Sequence, residues 1–170
     1  SGALSVQTRI VLCEFIQFAV ENDAIGDKLH KVALDLMHAR SLEAVFQSLS
    51  MNLSESFSIP HSTLRVWADQ PPAGAPDMPE FAKVSADTQV LMTGLTQPRC
   101  GSEAPDEVRD WFGPAGANQK SFAIAPLREE NLNGLLVLGS EGVKRFYPEM
   151  GPRYLTWLAE LSGAAISRFL

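Results

Sequence analysis

The apolar positions of the first 40 residues recur at alternating spacings of four and three, the pattern of a helix with a heptad seam. A helix from Leu4 to Ala39 would extend about 54 Å, longer than the core of one small domain. Since each seam phenylalanine left in water would forgo roughly 1.5–3 kcal/mol of burial, we expect a partner helix from a second copy. The alternative is a helix packed lengthwise on its own domain. The seam positions assigned to the dimer interface are Val11, Phe15, Phe18, Asn22, Ile25 and Leu29.

A second amphipathic helix is predicted after Ser41, which has the side chain of an N-cap residue. Pro60 ends this helix, residues 62–67 form a strand, and residues 70–79 form a proline-rich loop. The apolar stripe of the helix consists of Leu42, Val45, Phe46, Leu49 and Leu53.

Short elements are predicted in the middle of the chain. Ser85 caps a short helix, residues 98–102 supply a short strand, and a helix that starts at Pro105 is closed by Gly113. A last helix begins near Pro148 and is apolar on more than one face, so it lies between the sheet and other helices. The predicted order is helices, a strand, helices, a hairpin and a final helix. This order predicts an α+β domain with an antiparallel sheet.

Two apolar runs, residues 121–127 and 135–138, predict an antiparallel hairpin. The connection between them is charged and carries Asn133-Gly134, a dipeptide suited to positive φ. The second run is apolar at every position, which indicates a central strand covered on both faces.

The first strand of this hairpin has one face of small side chains, formed by Ser121, Ala123 and Ala125. A helix packed close to the strand would explain this face. A ligand cavity is the alternative explanation.

The bulk composition excludes several functions. The 170 residues carry a net charge of −6, which disfavours binding to nucleic acid or to anionic membranes. No apolar run is long enough to span a membrane, and no stretch has the order of a signal peptide. Cys13 and Cys100 lie far apart in unlike contexts, so we expect a protein of the reducing cytoplasm.

Searches for catalytic motifs find no nucleophile elbow, phosphate loop or metal-ligand spacing, and no cofactor is indicated. His30, His38 and His61 form no metal-binding pattern with each other or with the cysteines. Cys100, in "PRCGS", is interpreted as a buried small hydrophobe. We therefore expect a protein that is not an enzyme.

The segment "SFAIAPL…NGLLVLGSEGVKRFYPEMGPRYLTWLAELSGAAISRFL" resembles the closing half of a GAF domain. More narrowly, "ENDAIGDKLHKVALDLMHARSLEAVFQSL", "PRCGS…WFG" and "GSEGVKRFYPEMGPRYL" resemble the bacterial DUF484 proteins, GAF-like domains behind a helical N-terminal region. The resemblance implies a six-stranded or similar antiparallel sheet with helices on one side and a pocket under loops on the other. It also implies dimerisation through the N- and C-terminal helices, with residues 1–40 as the dimerisation helix and residues 41–170 as the GAF-like domain.

Fold analogy places a ligand over the sheet, between basic side chains for an anionic group and aromatic side chains for a flat apolar body. The candidate ligand-binding residues are Arg65, Trp67, Phe81, Arg99, Cys100, Trp111, Phe112, Ser121 and Ala123. The expected function is a ligand-sensing regulatory module. The alternatives are a dimeric scaffold without ligand and a cysteine-dependent redox enzyme.

Overall fold

The computed structural model describes residues 5–147 and 152–170, except for the side chains of Val11 and of residues 14–22. Three short 3-10 turns, Ala75–Asp77, Pro79–Phe81 and Gly113–Asn118, lie among the longer elements. In chain order these elements are α1 (Val6–His38), α2 (Leu42–Glu55), β1 (His61–Ala68), α3 (Ala86–Gly94), β2 (Arg99–Gly101), α4 (Asp106–Asp110), β3 (Ser121–Arg128), β4 (Leu132–Ser140) and α5 (Arg153–Ser167).

The four strands form one antiparallel sheet in the order β1-β4-β3-β2, flanked by helices. The mixed α+β architecture predicted from the sequence is therefore confirmed. The described residues form four strands, fewer than the six or so that the family resemblance implied. The apolar run at 135–138 lies in β4 between two other strands and is buried on both faces, as its composition predicted.

The hairpin of β3 and β4 is also confirmed, but its turn is not at Asn133-Gly134. The turn comes earlier, where the Glu129 N–H donates to the Leu132 carbonyl at 2.9 Å. Gly134 lies inside β4, opposite Val66 of β1. A Cβ at this position would lie 2.7 Å from the Arg65 carbonyl oxygen, so the glycine permits close approach of two strands.

The small face of β3 is covered by a helix, as the first of the two explanations proposed. Ala123 and Ala125 are buried, and they belong to one core cluster with Leu158, Ala159 and Ile166 of α5. At these two positions the side chain is only a methyl group, which lets the helix lie close to the strand.

The C-terminal part of α1 belongs to the same core. Leu29, Val32 and Leu36 pack with α2, α5 and the sheet. Arg168, just after α5, donates to the carbonyls of Met37 at 3.3 Å and Ala39 at 2.7 Å, which ties the end of α1 to the end of the chain. The core thus extends back across the boundary predicted at residue 40.

Ser41 and Ser85 are N-caps, as predicted. The Ser41 hydroxyl accepts from the Ala44 N–H at 3.1 Å, and the Ser85 hydroxyl accepts from the Thr88 N–H at 3.3 Å. α2 ends at Glu55, before the proline that was expected to stop it. These caps satisfy backbone donors that the first turn of a helix leaves without partners.

Glu107 of α4 fixes the start of α3 on the other face of the sheet. One carboxylate oxygen accepts from the Ser85 N–H at 2.9 Å, and the other accepts from the Ser85 and Thr88 hydroxyls. Burial alone would raise the pKa of Glu107, but the hydrogen bonds from Ser85 and Thr88 together outweigh it and lower the pKa. The carboxylate therefore stabilises this corner in its charged form.

Candidate ligand-binding site

A cavity of about 240 Å³ lies at the β1 edge of the sheet. Its floor is the strand itself, from Ser62 to Arg65. Phe46, Leu49 and Leu53 of α2 form an apolar wall on one side. The opposite side is closed by Pro79 and Glu80 of one 3-10 turn and by Trp111, which follows α4.

Arg65 places a positive charge in this cavity, and its guanidinium contacts neutral groups. Its guanidinium lies over the Trp111 ring, with 5.2 Å from the guanidinium carbon to the ring centroid. Nη1 donates to the Leu64 carbonyl at 3.2 Å and lies 3.4 Å from the Thr63 hydroxyl. Among the described residues the structure has one ion pair, Lys31–Asp35, so no carboxylate neutralises Arg65 by contact.

The electrostatics of Arg65 are set by burial and by one acidic neighbour. Burial lowers the pKa of the guanidinium, while the Glu80 carboxylate opposes this shift. Arginine remains charged at neutral pH despite such a shift. A partly buried cation with an aromatic face beside it is suited to an anionic group on a ligand.

The local sequence explains how these groups meet. Side chains alternate along β1, so Thr63, Arg65 and Trp67 point to one face while Leu64 and Val66 point into the helical core. β1 is an edge strand, which leaves its outer side open to the loop of residues 70–79. The 3-10 turn Pro79–Phe81 follows that loop and brings Glu80 to the strand.

Five of the nine predicted ligand-binding residues lie at or near this part of the sheet. Arg65 and Trp111 line the cavity. Phe81 stands beside it and packs edge-on against Phe46 at 6.3 Å between ring centroids. Trp67 and Phe112 belong to the apolar cluster that covers the centre of this face.

The other four predicted residues are not brought to the cavity. Arg99 is exposed on β2, at the opposite edge of the sheet. Three inter-strand steps, or about 14 Å, separate the two edges, so Arg65 and Arg99 do not grip one carboxylate. Cys100 and Ala123 form a cross-strand pair on the helical face and are buried there.

Ser121 also lies on the helical face, where it has a structural contact. Its hydroxyl donates to the Gly142 carbonyl at 2.6 Å and accepts from the Phe146 N–H at 3.2 Å. These two bonds hold the segment that follows β4. The side chain is fully buried, which leaves it out of reach of the cavity.

Cys100 is buried, as its interpretation as a small hydrophobe requires. Burial raises the pKa of its thiol, and the charge of Arg145 opposes this only in part. The thiol form is thereby favoured over the nucleophilic thiolate.

Of the twelve residues that line the cavity, sequence reasoning assigned Arg65 and Trp111 to the ligand and missed the other ten, four of which form its α2 wall and its acidic side. Phe46, Leu49 and Leu53 were assigned to the core stripe of α2, and nothing in the stripe indicates that one flank lines a cavity. Glu80 lies in a proline-rich region without periodicity, so no pattern connects it to Arg65. The approach of Glu80 to the cavity that Arg65 lines depends on tertiary contacts of the loop.

The described part of the chain holds no cluster of three or more histidine, cysteine or acidic side chains suited to a metal ion. Within the same residues, no helix has the length and apolar character needed to cross a bilayer.

The six predicted interface positions divide into two groups. Leu29 is buried within its own chain, and Ile25 packs against the same core. The apolar side chain of Leu29 therefore needs no partner helix to cover it. The side chains of the remaining four positions lie outside the described residues: Val11, Phe15, Phe18 and Asn22.

A search of the curated proteins found no match. The family model described as "Protein of unknown function, DUF484" matches residues 5–170, nearly the whole chain. The chain, with its N-terminal helices, antiparallel sheet and closing helix, therefore belongs to the DUF484 family.

Proposed function

We propose that the protein is a non-catalytic, GAF-like sensory or regulatory module that binds a small molecule in the β1-edge cavity and dimerises through its N- and C-terminal helices. The observation that carries the ligand proposal is Arg65, a partly buried cation that lines the cavity and has no carboxylate in contact among the described residues. A charge held this way loses hydration that a bound anion would replace. The adjacent Trp111 ring and the α2 wall supply apolar contact.

The layout of the sheet supports the GAF-like assignment in part. α1, α2 and α5 share a core with one face, while α3 and α4 lie toward the other. The first group corresponds to the helical side that the family resemblance implies. The helices toward the other face, where a pocket under loops was implied, and the four strands in place of about six depart from it.

The exposure of α1 and α5 supports dimerisation. Val6 and Ile10 of α1 are 73% and 53% exposed, and Trp157 of α5 is 40% exposed. A groove of about 460 Å³ between the two helices is lined by Gly26, Leu161 and other residues. Apolar surface of this kind on α1 and α5 favours packing against the helices of a second copy of the chain. The molar mass in solution, measured by light scattering at micromolar concentration, tests this part; a monomer would contradict it.

A scaffold protein without ligand is the second candidate, and one observation favours it. The centre of the face where a GAF-type pocket was expected is filled by the protein's own side chains, among them Phe122, Ile124 and Val137. A ligand would therefore have only the β1 edge. The cysteine-dependent enzyme has the least support, because Cys100 is buried and its thiol form is favoured.

A thermal-shift screen of metabolites, nucleotides and fatty acids separates the first two candidates. A ligand at 100 times its dissociation constant adds about 2.7 kcal/mol to the free energy of unfolding. We expect a hit whose stabilisation is lost in Arg65→Gln and kept in Arg99→Gln, which removes the same charge at an exposed site. The scaffold function is favoured if no compound raises the melting temperature.

A further inference from the structure

Two opposite charges line the same small cavity. Arg65 comes from β1, and Glu80 comes from the 3-10 turn that lies beside this strand. The Glu80 carboxylate acts on the pKa of Arg65 without forming an ion pair with it in the part of the chain that the structure describes. A ligand that carries both a carboxylate and an ammonium group would satisfy both side chains.

The remaining lining is apolar on one side and weakly polar on the floor. Phe46 of α2 is partly exposed and presents its ring to the cavity, whereas Leu49, Leu53 and Leu136 border the cavity but are almost fully buried. A branched or aromatic side chain on the ligand would bury its surface against the Phe46 ring. The ligand chemistry is therefore zwitterionic at one end and apolar at the other.

Size and surrounding charge favour a small ligand. Pockets for drug-sized ligands enclose about 300–1,000 Å³. The cavity is a half-open hollow of about 240 Å³, which suits a single amino acid better than a nucleotide. A neighbouring hollow shares Glu80 and adds the carboxylates of Glu43 and Asp77, so a polyanion extending in that direction would be repelled.

We propose that the cavity binds a free α-amino acid with an apolar side chain. The ligand carboxylate lies on Arg65, its ammonium group lies on Glu80, and its side chain packs against the partly exposed ring of Phe46. This inference rests on the proposed sensory function, because it names the ligand class of that same site.

The test is isothermal titration calorimetry of the whole chain with L-leucine, L-phenylalanine and two leucine analogues. Leucinamide replaces the carboxylate by a neutral amide, and 4-methylpentanoate lacks the ammonium group. Since a hydrogen bond to a charged group contributes about 1.5–3 kcal/mol, each analogue should bind at least about tenfold more weakly than leucine.

Two variants assign the ends of the ligand. Arg65→Gln should weaken leucine and 4-methylpentanoate by about tenfold or more and change leucinamide little. Glu80→Gln should weaken leucine and leucinamide and leave 4-methylpentanoate almost unchanged. The matched controls are Arg99→Gln and Glu103→Gln, which remove the same charges from exposed positions outside the cavity.

Folding of each variant is checked by its urea unfolding curve. If Arg65→Gln does not fold, Arg65→Lys and the Glu80 arm still decide the orientation, because the two analogues respond to different residues. The amino-acid inference is overturned if no apolar amino acid binds at millimolar concentration while another compound of the metabolite screen does; the sensory function then stands. If no compound binds at all, both proposals fail.

Discussion

Gly134→Ala is the substitution that probes how closely β4 approaches β1 beside Arg65. A Cβ on Gly134 would lie 2.7 Å from the Arg65 carbonyl oxygen and 2.9 Å from Val66 Cγ1. The first contact is with backbone, so no side-chain rotation relieves it. The two paired strands must separate locally instead, and the floor of the cavity moves with them.

Two opposing terms set the size of the effect. Overpacking at a closed site costs about 1–3 kcal/mol. Replacing glycine by alanine returns about 0.4–1 kcal/mol, because the unfolded chain has fewer conformations to lose. The net expectation for Gly134→Ala is a loss of about 1–2 kcal/mol. Gly94→Ala, where nothing lies within 4 Å of the added Cβ, keeps only the favourable term.

Urea unfolding followed by circular dichroism measures both variants. With a slope of about 2 kcal/mol per molar urea, Gly134→Ala should lower the unfolding midpoint by about 0.5–1 M at unchanged slope. Gly94→Ala should leave the midpoint the same or raise it. If the two alanine variants are equally stable, the close approach of β1 and β4 is not what requires glycine at position 134.

Three further expectations concern other parts of the fold. Ala125→Leu should destabilise the protein by about 1–3 kcal/mol in the same urea assay, because α5 leaves no room over the strand; a gain in stability would instead reveal a cavity. The pKa of Glu107 is lowered in the folded state, so its contribution to the free energy of unfolding is present above its unfolded pKa and is lost as pH falls through its folded pKa. Glu107→Gln should therefore be less stable than the parent at pH 7, and the difference in stability should vanish in acid. A difference that stays constant with pH would refute this linkage. A thiol reagent such as Ellman's should modify the exposed Cys13 in the native protein and reach the buried Cys100 only on unfolding, so two fast-reacting thiols in native buffer would contradict the burial of Cys100.

Local patterns in the sequence carried much of the fold. The hairpin, the central position of β4 and the two serine caps follow from side-chain alternation and from the chemistry of helix starts, which act over a few residues. The small face of β3 could also be recognised in the sequence, because Ala123 and Ala125 leave space that only a neighbouring element can fill.

The cavity was only partly predictable, since it depends on contacts between distant segments. Fold analogy and side-chain chemistry predict Arg65 and Trp111 as ligand-binding residues, and the two do come together. The same reasoning predicts Arg99, which lies at the other edge, because strand order is not encoded in local periodicity. Glu80 was missed for the converse reason: its loop has no period, and only the folded chain places it beside β1.

The two hydrogen bonds from Arg168 to the last carbonyls of α1 have a mechanical consequence. They couple the end of one long helix to the end of another, and α5 itself rests on β3, two strands away from the cavity floor. A displacement of α5 on the sheet would therefore also displace the C-terminal end of α1, because Arg168 joins the two.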